Sequence, residues 1–96
     1  MVRITSDEHD DCILVRVEGS LRGPWVDELE RLWGRTRQRG RRVRVSLAEV
    51  LYVDDAGKAL LARMFQNGTE LMASGPYMTA IVQEIMNSAG NPAISG

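Results

Sequence analysis

Apolar and polar residues alternate along much of this chain, and the period of the alternation changes several times. From Cys12 to Gly19 the order Cys-Ile-Leu-Val-Arg-Val-Glu-Gly puts Ile13, Val15 and Val17 on one face and Leu14, Arg16 and Glu18 on the other. A period of two predicts a strand with one buried face. Arg3-Ile4-Thr5 predicts a short first strand, and the acidic run Ser6 to Asp11 predicts a hairpin turn. The two strands should therefore pair antiparallel. After a loop from Gly19 to Gly23 the period lengthens. Trp25, Leu29, Leu32, Trp33 and Thr36 recur at i, i+4, i+7, i+8 and i+11, which predicts a helix burying one stripe. Pro24 suits its first turn, where a missing N–H costs nothing, and Gly40 suits its end.

Val43, Val45 and Leu47 alternate with Arg44 and Ser46, predicting a third strand, which Ser46 to Glu49 leads out. Val50 to Val53 is apolar and should return to the core. Asp54-Asp55 ends that run, and a helix is expected from Ala56 to about Gln66, with Asn67-Gly68 as its stop. Thr69 to Ala73 is short and moderately strand-like. Pro76 then opens a helix whose stripe is Met78, Ile81, Val82, Ile85 and Met86. From Asn87 the pattern is lost, so residues 1–86 are expected to form the domain and 87–96 a mobile tail. The order β-β-α-β-α-β-α predicts an α/β domain with a four-stranded mixed sheet packed with helices. Its parallel strands should be joined by right-handed crossovers.

Bulk composition narrows the classes. Ninety-six residues hold one core. The net charge of −1 gives no strong field toward nucleic acid or lipid. Seven of the twelve basic residues do lie between Arg31 and Arg44. No aromatic residues interleave with the cluster in the manner of a base-stacking platform, so it reads as a solvated helix end that complements the helix dipole. The single Cys12 excludes an internal disulfide and is expected to be buried and inert. His9 reads as a solvated turn residue, because Asp7, Asp10 and Asp11 lack calcium-loop spacing. No apolar run reaches the ~18 residues needed to span a bilayer, and the N-terminus has no apolar leader core. Cytoplasmic localisation is the expectation.

Candidate chemistry is sparse. There is no phosphate-binding glycine loop and no nucleophile with a plausible histidine base. No metal site and no cofactor are expected, and the chain is not expected to be an enzyme. What remains is Asp54-Asp55 ahead of Ala56-Gly57-Lys58. One of the two carboxylates should cap the helix, worth about 0.5–2 kcal/mol. A metal-assisted phosphoacceptor would need acids after the first strand and a lysine near the last strand. Here the acids follow a late strand and Lys58 sits on the helix itself. The third reading is a recognition loop read by a partner protein.

Four stretches taken together resemble the STAS domain, the fold of bacterial anti-sigma-factor antagonists. Glu18-Gly19-Ser20-Leu21 resembles the family's "E-G-x-L" turn. Val43 to Val50 resembles "v-v-l-D-L-s-x-V", with Ser46 where the family commonly has Asp. Tyr52-Val53-Asp54-Asp55-Ala56-Gly57 resembles "f-i-D-S-S-G" and is followed by a similar helix. Thr69 to Ala73 and the last helix resemble the closing strand and helix. The resemblance covers about Val2 to Met86.

The resemblance implies a protein-interaction domain in a partner-switching system that regulates transcription. In such antagonists the first serine after the Asp is phosphorylated by a cognate anti-sigma kinase, and the phosphate breaks the complex with the anti-sigma factor. Aligned on Asp54 and Gly57, that serine falls on Asp55 and the next on Ala56. Phosphorylation of a serine at this loop is therefore not expected. The implied contact surface is Asp54, Asp55, Ala56, Gly57, Lys58, Ala59, Ala62 and Arg63, and the implied partner is an anti-sigma factor, a serine kinase or a related signalling protein. No contact with nucleic acid and no membrane insertion are expected, and the state should be a monomer or weak homodimer. A small-ligand or lipid-binding module, or an accessory to a transporter, is the alternative.

Overall fold

The computed structural model describes residues 2–38, 40 and 42–89. Seven elements follow in the expected order: β1 (Arg3–Glu8), β2 (Cys12–Leu21), α1 (Pro24–Arg37), β3 (Arg42–Val53), α2 (Asp55–Gln66), β4 (Glu70–Met72) and α3 (Pro76–Ala89). The sheet order is β1-β2-β3-β4. β1 pairs antiparallel with β2, while β2–β3 and β3–β4 are parallel. Each parallel pair is joined by a helix, and right-handed crossovers that advance in one direction place their helices on one face of the sheet.

That face is the core. Ile13, Val15 and Val17 of β2 and Val43, Val45 and Leu47 of β3 are buried against Leu29 and Trp33 of α1, Leu60, Leu61 and Met64 of α2, and Met78 and Val82 of α3. The opposite face carries Arg16, Glu18, Arg44 and Ser46, which are exposed or half-buried. There Arg44 Nε lies 3.0 Å from Glu70 Oε1. Its N–H is not aligned on an acceptor, so the contact is an ion pair without a formal hydrogen bond. Among the described residues Trp33 is the one large core side chain with an N–H to satisfy. Its Nε1–H donates to Thr69 Oγ1 at 2.8 Å, and the Arg37 guanidinium covers its ring at 4.6 Å.

Several boundaries differ from the sequence expectation. β1 runs on through Ser6, Asp7 and Glu8, so the turn shrinks to His9–Asp11. Pairing with β2 supplies ladder hydrogen bonds that the polar composition did not advertise. On α1 the buried stripe starts at Val26 rather than Trp25, which is 42% exposed, and Leu32 is half-buried. Cys12 is half-buried, not buried. On α3, Met86 is 43% exposed. α3 itself continues to Ala89, past Met86, while residues 90–96 of the expected tail lie outside the described residues.

The largest difference lies in β3. It is one strand of 12 residues, not a strand, an exit and a return. Its register against β2 jumps from Arg16↔Ser46 to Glu18↔Glu49, and again from Gly19↔Val50 to Ser20↔Tyr52. At each jump β3 carries one residue more than β2, which is a β-bulge. Val50 and Val53 return to the core as expected, but Leu51 is 77% and Tyr52 47% exposed. Leu51 is the surplus residue of the second bulge and has no partner in β2.

Candidate recognition loop at the end of β3

The candidate site sits where β2 and β3 end together, at the carboxyl ends of two parallel strands, where sites in such sheets usually form. Asp54 is its pivot. It is the N-cap of α2, with extended backbone (φ −81°, ψ 179°), and its Oδ1 accepts the Gly57 N–H at 2.7 Å. Its other oxygen, Oδ2, accepts the Gly23 N–H at 3.0 Å from the β2–α1 loop. Its own N–H donates to the Leu21 carbonyl at 3.2 Å. One side chain therefore satisfies an orphan donor of one helix and ties down the loop that starts another.

Two glycines make this geometry possible. Gly23 has φ +57°, a conformation that L side chains rarely adopt. At Gly57 a Cβ would meet Val53 Cγ1 at 2.7 Å and the Leu21 carbonyl oxygen at 3.1 Å. The first turn of α2 thus lies directly on the ends of β2 and β3. The last N–H of β3 is also held: Val53 N–H donates to the Tyr77 hydroxyl of α3 at 3.0 Å. β4 pairs only with Arg44 to Ser46 and does not reach this far along β3.

Of the residues singled out from the sequence, the structure brings some to the surface and not others. Asp55, the first residue of α2, is exposed, as are Ala56 and Ala59. Lys58 is half-buried. Asp54 is half-buried and committed to the hydrogen bonds above. Gly57 is buried, so its role is close packing and not contact with a partner. Ala62 packs partly against the core. Arg63 is exposed and forms an ion pair with Glu30 of α1 at 2.9 Å.

The residues missed from the sequence are apolar. Leu51 and Tyr52 precede Asp54, and Trp25 lies in the first turn of α1. Arg22, Gly23, Pro24, Trp25, Tyr52 and Asp54 line an open depression of about 570 Å³. The signal that could have exposed Leu51 was a count: β3 is two residues longer than its parallel partner β2. Among the described residues no three acids, cysteines or histidines group as a metal site. No helix of the described residues is long and apolar enough to cross a membrane. In the arginine-rich stretch, Arg31 pairs with Glu28 at 2.9 Å and Arg37 reaches the Asn67 amide oxygen at 3.4 Å. Arg39 and Arg41 lie outside the described residues.

No protein-family model matches the chain, and no curated protein matches it at a significant level. Solved structures do. An anti-sigma factor antagonist from Mycobacterium paratuberculosis superposes with a TM-score of 0.74 at 19% identity, covering 94% of this chain and 79% of that one. The anti-sigma factor antagonist SpoIIAA in its unphosphorylated form gives a TM-score of 0.66 at 19% identity, covering 84% and 82% of the two chains. Mglu gives a TM-score of 0.59 at 22% identity over 75% of this chain, which spans only 19% of Mglu's length. At such identities the likeness is one of architecture, and it agrees with the order and pairing of the elements: the chain has the STAS fold of the anti-sigma factor antagonists.

Proposed function

We propose that this chain is a non-catalytic protein-interaction domain of a partner-switching signalling system, and that it binds an anti-sigma factor, a serine kinase or a related protein through the end of the sheet around Asp55. The observation that carries the reading is an exposed acid at the start of α2 together with exposed apolar side chains at the end of β3 and the start of α1. Asp55 is exposed on the first turn of α2, with Leu51 and Tyr52 exposed just before it and Trp25 across the loop that Asp54 ties down. Exposed aromatic and aliphatic anchors on a rigid frame are what a protein partner reads. The space between Trp25 and Tyr52, which Asp54 also lines, is an open depression and not an enclosed cavity, which favours a protein over a small ligand.

The fold neighbours include an antagonist with an unphosphorylated form. With the family's D-S-S-G motif placed on Asp54 and Gly57, the phosphorylatable serine position falls on Asp55 here. A carboxylate holds about −1 charge, against about −1.5 to −2 and three acceptor oxygens for phosphoserine. Asp55 is then either a partial and permanent imitation of the phosphorylated state or an acid adapted to a different partner, and in both cases the loop does not switch by serine phosphorylation. Incubation with the cognate kinase and ATP tests this. Phosphate on Ser20 or Ser46 leaves the reading intact, whereas phosphate on Asp55 overturns it. A pull-down with wild type, Asp55→Ser and Asp55→Lys tests the surface. The reading requires the set of captured proteins to change, and identical capture by all three removes this loop as the recognition surface.

A further inference from the structure

Among the described residues β1 lies at the edge of the sheet, with no strand beyond it. Its backbone groups alternate in direction. The His9 N–H donates to the Cys12 carbonyl at 2.8 Å, continuing the register Glu8↔Ile13. Alternation then turns the backbone groups of Asp7, Thr5 and Arg3 toward β2 and leaves the N–H and C=O of Ile4 and Ser6 facing outward. Such an edge is open to another strand unless its side chains forbid it.

Here the side chains select a partner. Arg3, Thr5 and Asp7 are exposed and lie on the sheet face away from the helices, since Ile4 is the residue that pairs with the buried Val17. Arg3 and Asp7 stand two residues either side of Thr5. Neither has an ion-pair partner among the described residues. Two copies of one strand that pair antiparallel in a single sheet are related by a two-fold axis normal to it. The residue on that axis faces its own copy. With Thr5 on the axis, Arg3 faces Asp7 of the second copy, and Asp7 faces the second copy's Arg3. The outward-facing Ile4 and Ser6 then fall opposite each other as hydrogen-bonded pairs. The Thr5 pair becomes the non-hydrogen-bonded one, where side chains approach most closely. Moving the axis to Ser6 sets Thr5 against Asp7 and Ile4 against Glu8, and no charges are paired.

Charges on an edge strand usually prevent pairing. In β1 they are self-complementary about Thr5 and admit one register. We infer that β1 is a homotypic docking edge, through which two copies of this chain join their sheets into one of eight strands. The inference does not rest on the reading of the Asp55 loop.

Sedimentation equilibrium of the full chain, from micromolar to millimolar concentration and at low salt, tests it. The wild type should dimerise as concentration rises. Arg3→Asp sets acid against acid, and Asp7→Arg sets base against base. Each should raise the dissociation constant about tenfold or more. An equimolar mixture of these two variants matches opposite charges again and should associate more tightly than either variant alone. Ser6→Pro removes an outward donor without removing a β1–β2 hydrogen bond and should abolish the dimer, while circular dichroism shows the fold retained. A wild type that stays monomeric at millimolar concentration overturns the proposal. So does a mixture no tighter than its components, or a dimer that survives Ser6→Pro.

Discussion

The carboxylate of Asp54 accepts the backbone N–H of Gly23 at 3.0 Å, joining residues 31 positions apart in the chain. Its second oxygen is engaged at 2.7 Å by the Gly57 N–H at the start of α2. The β2–α1 loop and the α2 N-terminus are therefore tied together next to the exposed Asp55. Asp54→Ala should lower stability by about 1–2 kcal/mol, the usual worth of an N-cap plus a partly exposed hydrogen bond. Asp54→Asn keeps a good cap and loses the tie to Gly23, so it should fall between wild type and alanine. Urea denaturation ranks the three.

Gly57 and Gly34 are both helical glycines, and alanine should act on them with opposite sign. At Gly34 nothing lies within 4 Å of an added Cβ, so Gly34→Ala should stabilise by up to ~1 kcal/mol through helix propensity. At Gly57 the new methyl meets Val53 Cγ1 at 2.7 Å. Val53 is buried and β-branched, so it has little freedom to turn away. Gly57→Ala should cost about 1–3 kcal/mol, the range for overpacking. Thermal unfolding of both variants checks the contrast.

The Trp33–Thr69 hydrogen bond crosses the core from α1 to the residue before β4. Thr69→Val keeps the shape and removes the acceptor, leaving a buried indole N–H unpaired. The expected loss is about 1–3 kcal/mol. In a double-mutant cycle with Trp33→Phe, the second change should cost less once the first is made. Independent, additive losses would show that the bond contributes nothing beyond packing.

Leu51 offers a clean separation of binding from folding. It is 77% exposed on a bulge, so Leu51→Asp should leave stability within ~0.5 kcal/mol of wild type. The same substitution replaces an exposed apolar anchor with an acid on the approach to Asp55. Capture of the protein partner should fall together with that of Asp55→Lys. Undiminished capture by both variants would move the contact surface elsewhere.

Most of the architecture was written in local patterns. The period-two runs at Cys12–Gly19 and Val43–Leu47, and the helical stripe at Met78 to Ile85, mark elements whose buried faces are set by spacing alone. Pro24 and Pro76 mark the helix starts as expected, and both head helices in the structure. That one of the two acids at 54 and 55 caps the helix also followed from local rules, since a cap needs only the first turn of its own helix. The element order then constrained the sheet to parallel pairs joined by helices, and with it the STAS fold.

Long-range pairing decided the rest. That Asp54, and not Asp55, is the cap, and that its second oxygen is used by Gly23, depends on where β2 ends relative to β3, which no local window contains. The apolar run from Val50 to Val53 looked like a return to the core. Two bulges in β3 turned Leu51 and Tyr52 out, because a strand with two surplus residues must expel side chains to keep Val50 and Val53 in register with β2. Ser6 to Glu8 extended β1 only because β2 was there to pair with them. Spacing along the chain determined which residues share a face. Which of them meet across the sheet, and which are left outside it, was decided by register.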